Sequence, residues 1–174
     1  MASAGMVAML IVGSAAAAST SWQFQTVDSV GDTGQFTSLA LDAAGNPRIA
    51  YYDRGNRRLC YASWSGSGWA TEIVDSSAWV GSNCSLVLTS DGRPCISYLD
   101  TTNYDLKYAE WDGWKWSTQT VDSYGDVGWS TSLALDNLGR PHISYWAGYR
   151  TNRVKYAAWN GSSWLTEVVD SDSG

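Results

Sequence analysis

The residue types that most often carry out catalysis are scarce in this chain of 174 residues. It has one histidine, His142, and three glutamates, Glu72, Glu110 and Glu167, so a histidine metal cluster and most acid–base arrangements lack their parts. Cys60, Cys84 and Cys95 are odd in number and have no C-x-x-C spacing, which argues against zinc. Buried thiols, or one disulfide with a free thiol, both remain open; register about the Asp91-Gly92 turn would set Cys95 near Leu88 rather than Cys84. Two loops, Asp28-x-x-x-Asp32-x-Gly34 and Asp122-x-x-x-Asp126-x-Gly128, put paired carboxylates together as a Ca²⁺ site would. Aspartate more commonly serves a turn by accepting backbone hydrogen bonds, and turn use is expected here. Asn83-Cys84-Ser85 and Asn160-Gly161-Ser162 match glycosylation acceptors. No nucleophile–base pair or phosphate loop stands out, so the expectation is a non-enzyme with no metal and no cofactor.

What the chain has in abundance is flat, amphipathic side chains: 11 Trp and 10 Tyr against 2 Phe. Such rings can lie against the CH face of a sugar or fill a partner's pocket. The balance of 11 basic to 17 acidic residues, net −6, argues against a nucleic-acid groove and gives no help at an anionic membrane. At 16% charged residues it is neither a solvating tail nor a coiled coil.

The elements that must position these rings follow from an internal repeat. Trp22, Trp69, Trp116 and Trp164 recur every 47 or 48 residues, as Gly45, Gly92 and Gly139 and then Pro47, Pro94 and Pro141 recur every 47. The domain of residues 22–174 therefore divides into repeats 22–68, 69–115 and 116–163 and a partial repeat 164–174. Each holds four strand-like runs separated by turn residues: SLALD, then RIAYY, CISYL or HISYW, then LCYASW, LKYAEW or VKYAAW, then WATEIVD, WSTQTVD or WLTEVVD. No helical period is sustained after residue 20. Four antiparallel strands per unit at this period give an all-β, propeller-type array of three blades, plus one extra outer strand at Trp22–Asp28.

The pattern L-A-L-D-x-x-G-x-P-x-I-x-Y resembles NHL-type propeller repeats, and Y-A-x-W-x-G-x-x-W resembles blades of the fungal and bacterial fucose-binding propeller lectins. The resemblance implies a propeller fold, a lectin-like module and ring closure by association. Those lectins carry an Arg beside the aromatic of the second strand and a Glu three residues before the Trp of W-D-G. Here that Glu slot holds Tyr61, Tyr108 and Tyr156, the Arg slot holds none, and only Trp111-Asp112-Gly113 is intact. Fucose specificity is not implied; a glycan ligand is.

Three blades cannot close a ring, since propellers run from about four to eight blades. Open flanks expose unpaired backbone and apolar faces, so self-association is expected, two chains giving six blades as the simplest ring. Trp64, Trp111 and Trp159, the repeating Trp set above, and Tyr51, Tyr98, Tyr145, Tyr61, Tyr108 and Tyr156 recur too strictly to be ligand contacts and are assigned to blade packing. Aromatics that break the repeat are the candidate ligand-binding residues: Trp79, Trp129, Tyr124, Trp146 and Trp114. Trp79, Trp129 and Tyr124 fall in the segments linking one blade to the next, which gather on one propeller face. His142, in the slot of Arg48 and Cys95, is given a strand-edge role.

Residues 1–21 form an apolar N-terminal segment, MVAMLIVGSAAAA at its centre, too short to span a bilayer comfortably. It reads either as a secretory signal lacking a basic start or as a retained helix that packs with its own copies. Both place the chain outside the cytoplasm, secreted or at the cell surface. The functional expectation is a self-associating, carbohydrate-binding module with itself and a glycan as partners and no nucleic acid. The alternative is a structural subunit of a surface filament or layer, with the apolar N-terminus packed between subunits.

Overall fold

The computed structural model describes residues 23–148 and 152–171; the N-terminal segment 1–21 and Trp22 lie outside the described residues. Among the described residues, twelve strands form three four-stranded antiparallel sheets. The first blade is β1 (Gln35–Leu41), β2 (Pro47–Asp53), β3 (Arg58–Trp64) and β4 (Trp69–Asp75). The second is β5 (Val80–Leu88), β6 (Pro94–Asp100), β7 (Asp105–Trp111) and β8 (Trp116–Asp122), and the third is β9 (Trp129–Leu135), β10 (Pro141–Ala147), β11 (Arg153–Trp159) and β12 (Trp164–Ser171). Spatial order within each sheet follows chain order, and β1, β5 and β9 form the inner edge. This is the propeller-type array that the repeat predicts.

Local chemistry sets the turns. The Asp42 carboxylate accepts the amides of Ala44 and Asn46, and Asp136 accepts those of Leu138 and Arg140, closing the β1–β2 and β9–β10 hairpins just before a proline opens the next strand. The Asp42 carboxyl lies at about 2, held down first by the Asn46 amide. The β3–β4, β7–β8 and β11–β12 hairpins end on Trp64–Trp69, Trp111–Trp116 and Trp159–Trp164 pairs, with ring centroids 5.5–5.6 Å apart. The inner strands begin earlier than the SLALD runs suggest. Each carries a register shift beside a residue of positive φ: Phe36, Asn83 or Ser130.

The core lies between blades. Leu59, Tyr61 and Val74 of the first blade meet Leu86, Ile96 and Tyr98 of the second. Leu106, Tyr108 and Val121 meet Leu133, Ile143 and Tyr145 of the third. Tyr51, Tyr98 and Tyr145 are buried, as the repeat predicts for packing residues. Polar contacts repeat as well. Ser38 Oγ accepts the Leu86 amide at 2.9 Å, and Ser85 Oγ accepts that of Leu133 at 3.1 Å.

The last aspartate of β4 and that of β8 each form a latch to the next blade. Asp75 accepts hydrogen bonds from Tyr98 Oη and Lys107 Nζ, both at 2.7 Å. Asp122 accepts from Tyr145 Oη at 2.7 Å and from Lys155 Nζ. Gln23–Asp28, the described part of the extra strand predicted over Trp22–Asp28, has no sheet neighbour and forms no strand. It still takes an outer strand's place against the first blade. Asp28 accepts Tyr51 Oη at 2.7 Å, and Gln25 accepts Trp69 Nε1 at 3.1 Å, as Glu72 and Gln119 accept Trp116 and Trp164.

The three cysteines are free thiols. Cys95 pairs with Val87, one residue from the expected Leu88, because the Thr89–Arg93 turn sets Leu88 opposite Pro94. Burial pushes the Cys84 thiol up to about 12 and the Cys60 thiol to about 11, so both stay protonated and unreactive.

Candidate functional site

The strand order separates two ends of the arc. The β1–β2 and β3–β4 hairpins and their equivalents lie at one end; the β2–β3 turns and the links between blades lie at the other.

At the first end, the first and second blades enclose a pocket of about 280 Å³ lined by Arg48, Tyr61, Ser63, Glu72, Asp91, Gly92, Arg93, Pro94, Trp111 and Trp116. Arg48 is the second residue of β2, Tyr61 sits in β3 and Glu72 in β4, paired directly with Tyr61 across the ladder. The facing wall is the Trp111–Trp116 pair. Trp116 meets Tyr61 edge to face at 5.4 Å and donates through Nε1 to Glu72 Oε2 at 3.2 Å. Arg48 is oriented by Asp42 at 2.8 Å and Arg93 by Asp91 at 2.8 Å. A cleft of about 520 Å³ between the two β-turns continues from it and shares Arg48, Asp91 and Gly92. The arrangement offers a guanidinium donor, a carboxylate acceptor and aromatic faces within one small, half-open space. That set suits a polyhydroxylated ring, whose hydroxyls need both donors and acceptors and whose CH face needs an apolar wall.

Chemically, the pocket is singular among the blade junctions. In the second blade Cys95 and Gln119 stand in the places of Arg48 and Glu72. In the third, His142 and Glu167 stand there on an open flank. His142 Nδ1 bonds Tyr156 Oη, and its Nε2 lies 3.6 Å from Asp136, which keeps it at the strand edge. Sequence reasoning missed Arg48 and Glu72 because it looked only for aromatics that break the repeat. The usable signal is Arg48, whose equivalents are Cys95 and His142. Tyr61, Trp111 and Trp116 pack the blades as expected and also line the pocket.

The predicted aromatics divide between the two ends. Trp79 immediately precedes β5 and is half-exposed; the Arg57 guanidinium lies 3.8 Å from its ring centre. Trp129 is the first residue of β9 rather than a loop residue. It stacks on Tyr104 at 6.3 Å, meets Trp146 of β10 at 6.4 Å and donates to Asp126 at 2.7 Å. Trp79 and Trp129 flank one turn: the Trp79 backbone bonds Thr101 and Thr102, and the Trp129 ring covers Tyr104. Tyr124 is exposed at this same end. Trp114, also exposed, belongs to the β7–β8 hairpin at the other end and does not join them. The paired aspartates are occupied in the manner of turn residues. Asp28 accepts Val30 N and Asp122 accepts Tyr124 N, while Asp32 pairs with Arg54.

No protein-family model and no curated protein matches the chain. Among solved structures it is similar to a fucose lectin from Kordia zhangzhouensis in complex with methyl-fucoside, at 23% identity and a TM-score of 0.53, over 75% of this chain and 96% of that one. The fold is that of the propeller lectins. The SapL1 lectin in complex with alpha methyl fucoside is similar at 17% identity and a TM-score of 0.54, over 75% of this chain and 45% of the lectin. A Hadza microbial sialidase, Hz136, is similar at 13% identity and a TM-score of 0.56, over 79% of this chain and 38% of the enzyme. The chain thus spans nearly all of the first lectin and less than half of the other two. A lectin and a sialidase share this propeller architecture, so the likeness fixes the fold and leaves the ligand to the site.

Proposed function

We propose that the chain is an extracellular, self-associating module that binds carbohydrate, without catalysis, in the pocket between its first and second blades. The observation that carries this reading is the placement of Arg48 and Glu72 against the Trp111–Trp116 wall in a space the size of about one sugar ring. Similarity to sugar-binding propellers supports it. The aromatics around the β6–β7 turn supply a second surface at the opposite end, where Trp79 and Trp129 contact a longer glycan or a neighbouring subunit. Self-association is supported by the open flanks. Val154 and Val169 are 45% and 62% exposed, whereas their equivalents Leu59, Leu106, Val74 and Val121 are buried at blade junctions.

Screening the parent on a glycan array and titrating the best ligand tests the reading. Replacing Arg48 and Glu72 by Ala removes two charge-assisted hydrogen bonds, each worth about 1.5–3 kcal/mol, so binding should fall by about 100-fold or more with the melting temperature nearly unchanged. Undiminished binding by that variant would move the site elsewhere, and Trp79→Ser then reports whether the opposite end carries it. An array with no glycan bound above background would reject the lectin reading.

A further inference from the structure

Both internal junctions bury one repeating set of side chains, which the third blade's flank leaves uncovered and the first blade's flank covers only in part. On the third blade these are Val154, Val169 and Ser132; the equivalents of Ser132 accept the amide of the next blade's inner strand. On the first blade Leu39 is 63% exposed, whereas Leu86 and Leu133 are 5% and 6%. The inner half of the first flank is therefore open, but its outer half is covered. Val27 packs against Tyr51, Cys60 and Ala62, Gln25 accepts Trp69 and Asp28 accepts Tyr51. The same register positions in β12 are Glu167 and Asp170, which face no following blade.

We infer that Gln23–Asp28 is a displaceable strap that holds the place taken by β12 of a second copy when chains assemble head to tail. In that contact Glu167 replaces Gln25 at Trp69, and Asp170 replaces Asp28 at Tyr51. The inference rests on the self-association proposed above and adds what the docking surface is and what competes for it. The physical reason is pre-organisation. The strap has no ladder in its described part, whereas β12 arrives already fixed by pairing with β11. The first blade also has Cys60 where Lys107 and Lys155 hold Asp75 and Asp122, so no ammonium anchors Asp28. An incoming chain meets the open Leu39 half first and then exchanges the strap.

Sedimentation velocity over a concentration series tests this with three proteins: the parent, Gln25→Ala/Asp28→Ala, and Val154→Lys/Val169→Lys. Loosening the strap should lower the midpoint of association by about tenfold, and the lysine pair should abolish association. A folded strap variant that associates at the parent's midpoint or above it overturns the strap while leaving self-association standing, provided the lysine pair is monomeric. If neither the parent nor the strap variant associates, both readings fall. Should the strap variant not fold, chymotrypsin cleavage after the exposed Phe24 of the parent decides. Cleavage should run about threefold or more faster in the assembled state than in dilute monomer, because proteolysis follows the detached population. An equal or slower rate overturns the inference.

Discussion

Replacing Asp75 by Ala should cost about 3–5 kcal/mol of stability, lowering the melting temperature by roughly 10 °C, because it strands Lys107 in a nearly closed junction. The side chains of Asp75 and Lys107 are 5% and 12% exposed. Burial pushes the Asp75 carboxyl up, but hydrogen bonds from Lys107, Ser77 and Tyr98 outweigh that and hold it below its usual 3.8. Asp122 behaves in the same way, with burial opposed by Lys155, Tyr145 and the Tyr124 amide. A carboxyl whose folded value is depressed contributes stability above its unfolded value, which is lost as pH falls through the folded one. The parent should therefore lose stability as pH drops below about 4, and Asp75→Ala should flatten that part of the profile. The double change Asp75→Ala/Lys107→Met should recover much of the loss, since it removes the unpaired charge rather than leaving it. Asp28→Ala should cost far less, because Asp28 is only half-buried and no lysine faces it. Chemical denaturation at several pH values checks all four; a loss below 1 kcal/mol at Asp75 would show that the junction tolerates a lone ammonium.

A second large effect is expected at Gly81 and Gly128. Both have positive φ, +105° and +92°, and an added Cβ would lie 2.7 Å from Leu59 Cα and 2.9 Å from Leu106 Cα. Those are backbone atoms of the preceding blade and cannot swing aside. Gly81→Ala should cost about 2–5 kcal/mol, combining roughly 1–2 kcal/mol for the left-handed backbone with about 1–3 kcal/mol for forcing blades apart. Gly34 is the built-in control. It occupies the same repeat position with φ +90°, yet nothing lies within 4 Å of its added Cβ, because no blade precedes it among the described residues. Gly34→Ala should show the backbone cost alone. Urea unfolding of the three variants separates the terms, and equal losses at Gly34 and Gly81 would remove the steric part of the explanation.

Blade number, strand order and the packing role of the recurrent Trp and Tyr residues are legible in the sequence. Each depends on contacts a few residues apart, repeated every 47 or 48, such as the turn of Asp42 and the Trp64–Trp69 hairpin pair. The placing of Trp79 and Trp129 at one end of the arc follows from the same rhythm, although Trp129 proves to be a strand residue and only the structure sets both beside the β6–β7 turn. The latch was not legible. Asp75 looks like any turn aspartate until Tyr98 and Lys107, 23 and 32 positions later, are brought against it.

The period of turn and aromatic residues by itself determined an all-β array of three blades, since alternation and tight turns act within one hairpin. Only the tertiary structure decided which side chains share the pocket between the first two blades. Arg48, Glu72 and Trp116 are far apart along the chain and meet because one blade's outer strands pack against the next blade's hairpin. Likewise, the sequence gives Trp22–Asp28 the composition of an outer strand. Whether such a segment pairs depends on a neighbouring strand, and none of the described strands of a preceding blade stands beside it, so Gln23–Asp28 lies as a strap on the first blade's flank instead. Local pattern fixes what a segment can form; which neighbours are present fixes what it does.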